Sequence, residues 1–394
     1  MSVDSRWRVL IFTYVSMLVF AVIFQAIPSV LSFIVSSLDI SHAQAGALMS
    51  LFALPGILIS IPGGILTDIY GPRRIGMAAL AIAMVGSLMI GFGNNFPWLV
   101  AGRFISGIGA LTIAIVAPQT ISRWFAKKDL GSAMGIHNTA MPVGTILTLN
   151  IFGRLAGITN WRLPIILTAG FSLFVLVLFY FKHPGLPEEE KGQAKDEMSF
   201  KKGLISIKDA GWPVWLVAAS WMMFNVAGIS YLTFAGDYYI TEGYDISYAG
   251  FLASLFMFGS LLFSPLVGYL TDKIGKQEYF LIGGGTALAL LLLLVSGSRI
   301  NPLLLGSLIG LSAAFVPAPI FSLVPKFLPP GQIGMGYGLL STCLNIGVLV
   351  GPMLIGFSYD QTLSYHNGFI LMAVFAFAAA LLALVLRISR GVRS

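Results

Sequence analysis

Charge is almost absent from long tracts of this sequence, and that absence limits the folds open to it. Stretches without Asp, Glu, Lys or Arg run 9–38, 40–67, 75–102, 104–122, 130–153, 163–181, 210–236, 246–271, 279–298, 300–325, 327–359 and 361–386. A helix needs roughly 20 mostly apolar residues to cross a bilayer core. The run Gly-Asn-Asn-Phe-Pro at 93–97 breaks the third stretch, so helices fall at about 75–93 and 97–122, with Arg103 inside the second. The count is twelve, and the expected fold is an all-α membrane protein. Charged residues make up only 10% of the chain, where a soluble domain carries about 25%. The first run is 30 residues long and lacks a small-residue cleavage site, so it is expected to stay as a first helix.

The basic residues orient these helices. With the N-terminus inside, the inner segments hold 19 Lys and Arg and the outer segments hold three, Arg154, Arg162 and Arg299. Cytoplasmic loops carry the basic excess, so both termini are expected on the cytoplasmic side of a cell inner or plasma membrane. The same reading accounts for the net charge of +7 without nucleic acid as a partner. The single cysteine, Cys343, cannot form an intrachain disulfide.

The longest polar stretch divides the chain. Residues 1–182 are expected to form one six-helix bundle, 183–210 a cytoplasmic linker and 211–394 a second six-helix bundle. Within the linker Phe200, Leu204 and Ile207 recur at helical spacing between lysines, which fits a surface amphipathic helix or a plain charged linker. The bundles repeat. At an offset of 204, Ala45, Gly46, Ser50, Leu51, Phe52, Gly64, Leu66, Thr67, Asp68 and Gly71 fall on Ala249, Gly250, Ser254, Leu255, Phe256, Gly268, Leu270, Thr271, Asp272 and Gly275. Leu-Thr-Asp-x-x-Gly therefore closes the second apolar segment of each half.

With that loop in view, the chain resembles the major facilitator superfamily over nearly its full length. The family's loop between helices two and three is matched at Gly64, Leu66, Asp68, Gly71 and Arg73, while Ile69 and Pro72 replace two of its basic residues. A second family motif, Arg-x-x-x-Gly-x-Gly, stands at Arg103–Gly109. The resemblance implies twelve helices in two bundles related by a pseudo-two-fold parallel repeat, and secondary transport by alternating access. It also implies a cytoplasmic latch. Asp68 would meet helix eleven near Pro330 and Gly331, Asp272 would meet helix five near Lys128–Gly131, and Arg73, Arg74 and Lys276 would tie the carboxylates. Gly64 and Gly268 would allow close helix packing, and Gly71 and Gly275 end the turns. The segments around 120–135 and 138–150 are most similar to bacterial cyanate, nitrate and organic-anion porters, although the nitrate group's glycine-rich signatures are absent.

The expected cavity residues are the mid-membrane polar and aromatic ones: Gln25, Asn138, Asn225 and Asn345, with Trp221 and Tyr231 as walls. Arg103 is either a counter-charge for an anion or a packing residue bonded to carbonyls of neighbouring helices. No Asp or Glu lies centrally in a helix, Asp237 being close to the outer end of helix seven, and His137 is the histidine available for proton coupling. There is no nucleotide-binding loop and no paired Cys-His metal spacing, so neither an enzyme nor a cofactor- or metal-dependent pump is expected. The reading is a monomeric transporter, with the lipid bilayer and a small anionic or neutral polar substrate as its partners. An exporter of hydrophobic compounds and a non-transporting membrane sensor are the alternatives.

Overall fold

The computed structural model describes residues 3–125, 130–182, 211–328 and 333–391. The linker, with its amphipathic segment at Phe200–Ile207, lies outside the described residues. Fifteen α-helices, and no strand, occur among the described residues. Among the described residues, twelve spans are long and apolar enough to cross a membrane. Large apolar side chains such as Leu58, Phe92, Phe174, Leu262 and Phe357 stand exposed along them. That suits acyl chains as the surrounding solvent and would be a liability in water.

The chain divides into two compact units, one of Met1–Ile40 with Leu51–Asp196, the other of Ser41–Ser50 with Glu197–Ser394. The helices of the first half are α1 (Val3–Ser29), α2 (Leu31–Leu38), α3 (His42–Tyr70), α4 (Pro72–Phe92), α5 (Phe96–Trp124), α6 (Leu130–Asn138), α7 (Ala140–Ile158) and α8 (Arg162–Lys182). In the first unit α1 packs on α5, α7 and α8, and α4 packs on α5 and α8. The second half has α9 (Gly211–Thr241), α10 (Ile246–Ile274), α11 (Gln277–Val295), α12 (Pro302–Ala314), α13 (Pro317–Phe327), α14 (Ile333–Thr362) and α15 (His366–Gly391). Here α9 packs on α14 and α15, α11 on α15, and α10 on α12. Residues 41–50, the start of α3, belong with this second unit, and α3 from Leu51 onward belongs with the first.

Local chemistry sets the helix ends. The Gly-Asn-Asn-Phe-Pro break holds: the Asn95 side chain accepts from the Trp98 N–H, with Pro97 in the first turn of α5. Asp245 caps α10 through the Ser247 N–H, and Asn301 caps α12 through the Leu303 N–H ahead of Pro302. Three apolar runs that read as single helices are each broken near a proline. Pro28 precedes the α1–α2 break, Pro142 follows the α6–α7 break, and Pro317 opens α13. Proline has no N–H and its ring crowds the carbonyl four residues back, which places the breaks before Pro142 and Pro317; Pro28 sits inside α1, and its break follows it.

The doubled Leu-Thr-Asp-x-x-Gly has a doubled geometry. The Gly71 N–H donates to the Thr67 carbonyl and the Gly275 N–H to the Thr271 carbonyl, both at 2.9 Å. Gly71 has φ +84° and Gly275 φ +70°, the left-handed region where a side chain is strained. The glycine is thus the residue that lets each second segment stop and turn.

Candidate functional site

In the first unit the site begins at Pro28. A leucine or alanine there would donate its N–H to the Phe24 carbonyl; proline leaves that carbonyl without its helical partner. Arg103, reaching from α5, takes its place. One guanidinium nitrogen donates to the Phe24 carbonyl at 2.8 Å and another to the Ile23 carbonyl at 2.7 Å. The guanidinium lies over the Phe52 ring, 4.3 Å from its centre, and Arg103 is 1% exposed. The positive charge is therefore set inside the helices at a point where α1 offers free acceptor capacity.

Gln25 follows directly. It is fully buried, and neither its amide nitrogen nor its amide oxygen has a hydrogen-bond partner. A buried amide without partners costs the desolvation of both its groups, about 1–3 kcal/mol each. Such a group marks a place where a polar ligand or water belongs. Asn138 stands apart from this pair, exposed at the end of α6, next to a Thr139 whose hydroxyl bonds the Tyr14 hydroxyl at 3.2 Å. His137 is buried.

In the second unit the expected residues fall on two helices. Asn225 donates to the Trp221 carbonyl at 2.8 Å and Asn345 to the Ser341 carbonyl at 3.0 Å, each one turn back on its own helix. Trp221 stacks on Phe224 with ring centres 5.5 Å apart, and Phe321 meets it edge-on. Tyr231 is fully buried among Phe256 and Phe369. Each asparagine amide thus donates within its own helix.

Of the residues expected to gate, Gly71 and Gly275 make the turns described above, and Gly268 lies within α10. Arg73 donates to the Tyr180 carbonyl at the end of α8. Arg74 and Lys276 are exposed, Lys276 with its ammonium 5.7 Å from the Tyr279 ring centre. The side chains of Asp68 and Asp272 lie outside the described residues, as do the surroundings of Gly64 and the segments 329–332 and 126–129 that the latch would use.

One cluster escaped the sequence reading. His42 Nε2 lies 3.2 Å from Asp237 Oδ2, and the Tyr365 hydroxyl donates to that same oxygen. Asp360 accepts from the backbone N–H groups of His42 and Ala43, both at 2.8 Å. The His42 ring also faces Tyr359, with centres 3.9 Å apart. Burial, then the charge and hydrogen bond of Asp237, push the Tyr365 hydroxyl well above the ordinary tyrosine range, so it stays a donor. Histidine does not interrupt a charge-free run, and the partners sit 195 and 318 residues away in sequence, which is why no local pattern showed them.

Comparison with known proteins gives this arrangement its relatives. The profile of the Major Facilitator Superfamily matches residues 13–248 and 223–393. The lysosomal dipeptide transporter MFSD1 of Danio rerio is 25% identical over 375 residues, covering 90% of this chain and 80% of its own. The probable sulfoacetate transporter SauU of Cupriavidus necator is 23% identical, covering 88% and 86%. The probable nitrate transporter NarT of Staphylococcus epidermidis is 24% identical, covering 90% and 89%. In fold, the chain superposes with a TM-score of 0.79 and 17% identity on a bacterial homologue of the human lysosomal transporter Spinster, covering 98% of both chains. A profile match over nearly the whole chain, twelve spans and a repeated turn motif lead to one conclusion: the chain belongs to the major facilitator superfamily and is a multi-pass membrane protein that moves a small solute by secondary transport.

Proposed function

We propose that the solute carries an oxyanion, such as a carboxylate or sulfonate, and that Gln25 is its contact in the first unit. The unpartnered Gln25 amide carries this reading. It offers a donor and an acceptor at a buried position one residue past the carbonyls that hold Arg103. No Asp or Glu occurs between Asp68 and Asp129, so α5 brings a positive charge with no acid on its own span. The relatives named above handle dipeptides, sulfoacetate and nitrate, each of which bears an oxyanion. Arg103 acts through its field, since its nitrogens already donate to α1.

The protein works by alternating access as a monomer in the cell inner or plasma membrane, with both termini cytoplasmic. The Thr-Asp-x-x-Gly turns serve its cytoplasmic gating. The test is uptake of a dipeptide, sulfoacetate and nitrate into proteoliposomes by wild type and Gln25→Leu. A hydrogen bond to a charged group is worth about 1.5–3 kcal/mol, so the variant's KM for the transported solute rises about tenfold or more. Uptake of a polar solute without an oxyanion group in preference to all three would sink the oxyanion reading.

A further inference from the structure

We propose that His42 is a proton-binding site, and that its occupancy sets how tightly the first turns of α3 are held against α9 and α14. The geometry supplies both halves of the idea. With Nε2 at 3.2 Å from Asp237 Oδ2, the neutral imidazole carries its proton on Nε2 and donates. Its other nitrogen, Nδ1, then faces Asp360 Oδ1 at 3.8 Å with a lone pair against a carboxylate. A proton added at Nδ1 turns that repulsion into attraction and makes the imidazole a cation between two carboxylates. The Tyr359 ring lies against it, and a cation is favoured over an aromatic face.

Every neighbouring element contributes to this balance. α9 presents Asp237, α14 presents Asp360 and Tyr359, and the turn before α15 presents Tyr365. Asp39, just ahead of α3, is exposed, as is Glu242 beyond Asp237. Asp360 is already engaged by the first two N–H groups of α3, where the helix's positive end favours a carboxylate. The backbones are also in close contact, because a Cβ at Gly46 would overlap the Pro352 carbonyl and one at Gly356 the His42 carbonyl. The proton therefore acts at a joint that is tightly fitted and carries opposed charges.

The sign follows from the pairing. Protonated His42 strengthens the joint, so its contribution is present at acid pH, where an unfolded histidine is charged too. It is lost when the added proton leaves Nδ1 and the lone pair again faces the Asp360 carboxylate. Histidine is the side chain that changes charge in the range of about pH 5 to 8. A bound proton that tightens one set of helix contacts is what a proton-coupled or pH-gated cycle requires. That link to transport rests on the transporter reading above, whereas the proton site does not.

The experiment is hydrogen exchange of residues 42–50 in the full chain in lipid nanodiscs, at about pH 5.5 and pH 8, corrected for intrinsic exchange. Wild type is expected to be better protected at the lower pH, and His42→Gln to show a ratio near one. A wild-type ratio near one, or an equal ratio in both proteins, overturns the proposal. Asp237→Asn keeps the imidazole and removes the charge it pairs with, and it stands in if the glutamine variant does not fold. Its ratio should fall below that of wild type, and an unchanged ratio again overturns the proposal. Proteoliposome uptake separates the two readings. A normal His42-dependent exchange ratio with no solute transported leaves the proton site standing and removes the transport role.

Discussion

Arg103 and Pro28 form a pair across two helices. The arginine satisfies a carbonyl that the proline leaves open, and each explains the presence of the other. Removing the guanidinium leaves the Phe24 carbonyl without its hydrogen bond and a buried void beside Phe52. Arg103→Ala should cost about 2–4 kcal/mol of stability, from hydrogen bonds made by a charged donor. In a Pro28→Ala background the backbone N–H restored at position 28 can reach the same carbonyl, so the loss should shrink by about 1–2 kcal/mol. Unfolding of the four proteins of this double-mutant cycle in detergent measures the coupling, and strict additivity would remove the pairing. The sequence located Arg103, because a lone charge in an apolar run is conspicuous. It left the arginine's role open between counter-charge and packing, because the carbonyl it bonds lies 79 residues away. The Asn225 and Asn345 amides were equally visible, and their bonds one turn back on their own helices were not.

At the scale of elements, the two units use one device at equivalent places. α5 crosses α3 where a Cβ at Gly107 would lie 2.5 Å from the Phe52 carbonyl oxygen, and α12 crosses α10 where one at Gly310 would overlap the Leu255 carbonyl. Close approach of small residues is how helices associate where lipid gives no hydrophobic drive. Gly107→Ala and Gly310→Ala should each destabilise by about 1–3 kcal/mol through forced separation. Gly283→Ala meets nothing within 4 Å and should leave the unfolding temperature unchanged or slightly raised. Equal effects at all three positions would mean that propensity, not crossing distance, governs them. The spans themselves were readable because charge and apolar length determine them. The breaks at Val30, Thr139 and Phe315–Val316 were harder, since proline can sit in a membrane helix as a mild kink or a full interruption, and neighbouring helices decide which.

For the whole molecule the sequence carried the most. Its doubled motif and basic asymmetry already outline twelve spans in two related sets. A cytoplasm-dependent fluorescent reporter fused after Ser394 should be bright, and one inserted at Gly297–Arg299 should be dark. The reverse pattern would invert the orientation. What linear order could not show is that residues 41–50, the start of the continuous α3, group with the second unit. Asp237 and Asp360, both encoded in the other half, bond residues 42 and 43 of that segment.

The distance in sequence between α3 and its cap has a consequence for biosynthesis. The carboxylate that binds the first two N–H groups of α3 comes from a residue 318 positions later. At about 5–20 residues per second, α3 leaves the ribosome roughly 15–60 s before Asp360 exists. In that interval the helix must rely on its own reciprocal bonds, Ser41 N–H to the Gln44 side chain and Gln44 N–H to the Ser41 hydroxyl. A nascent chain truncated before Asp360 should therefore insert α3 with a frayed first turn. Ser41→Ala should harm insertion of the growing chain more than it harms the finished protein.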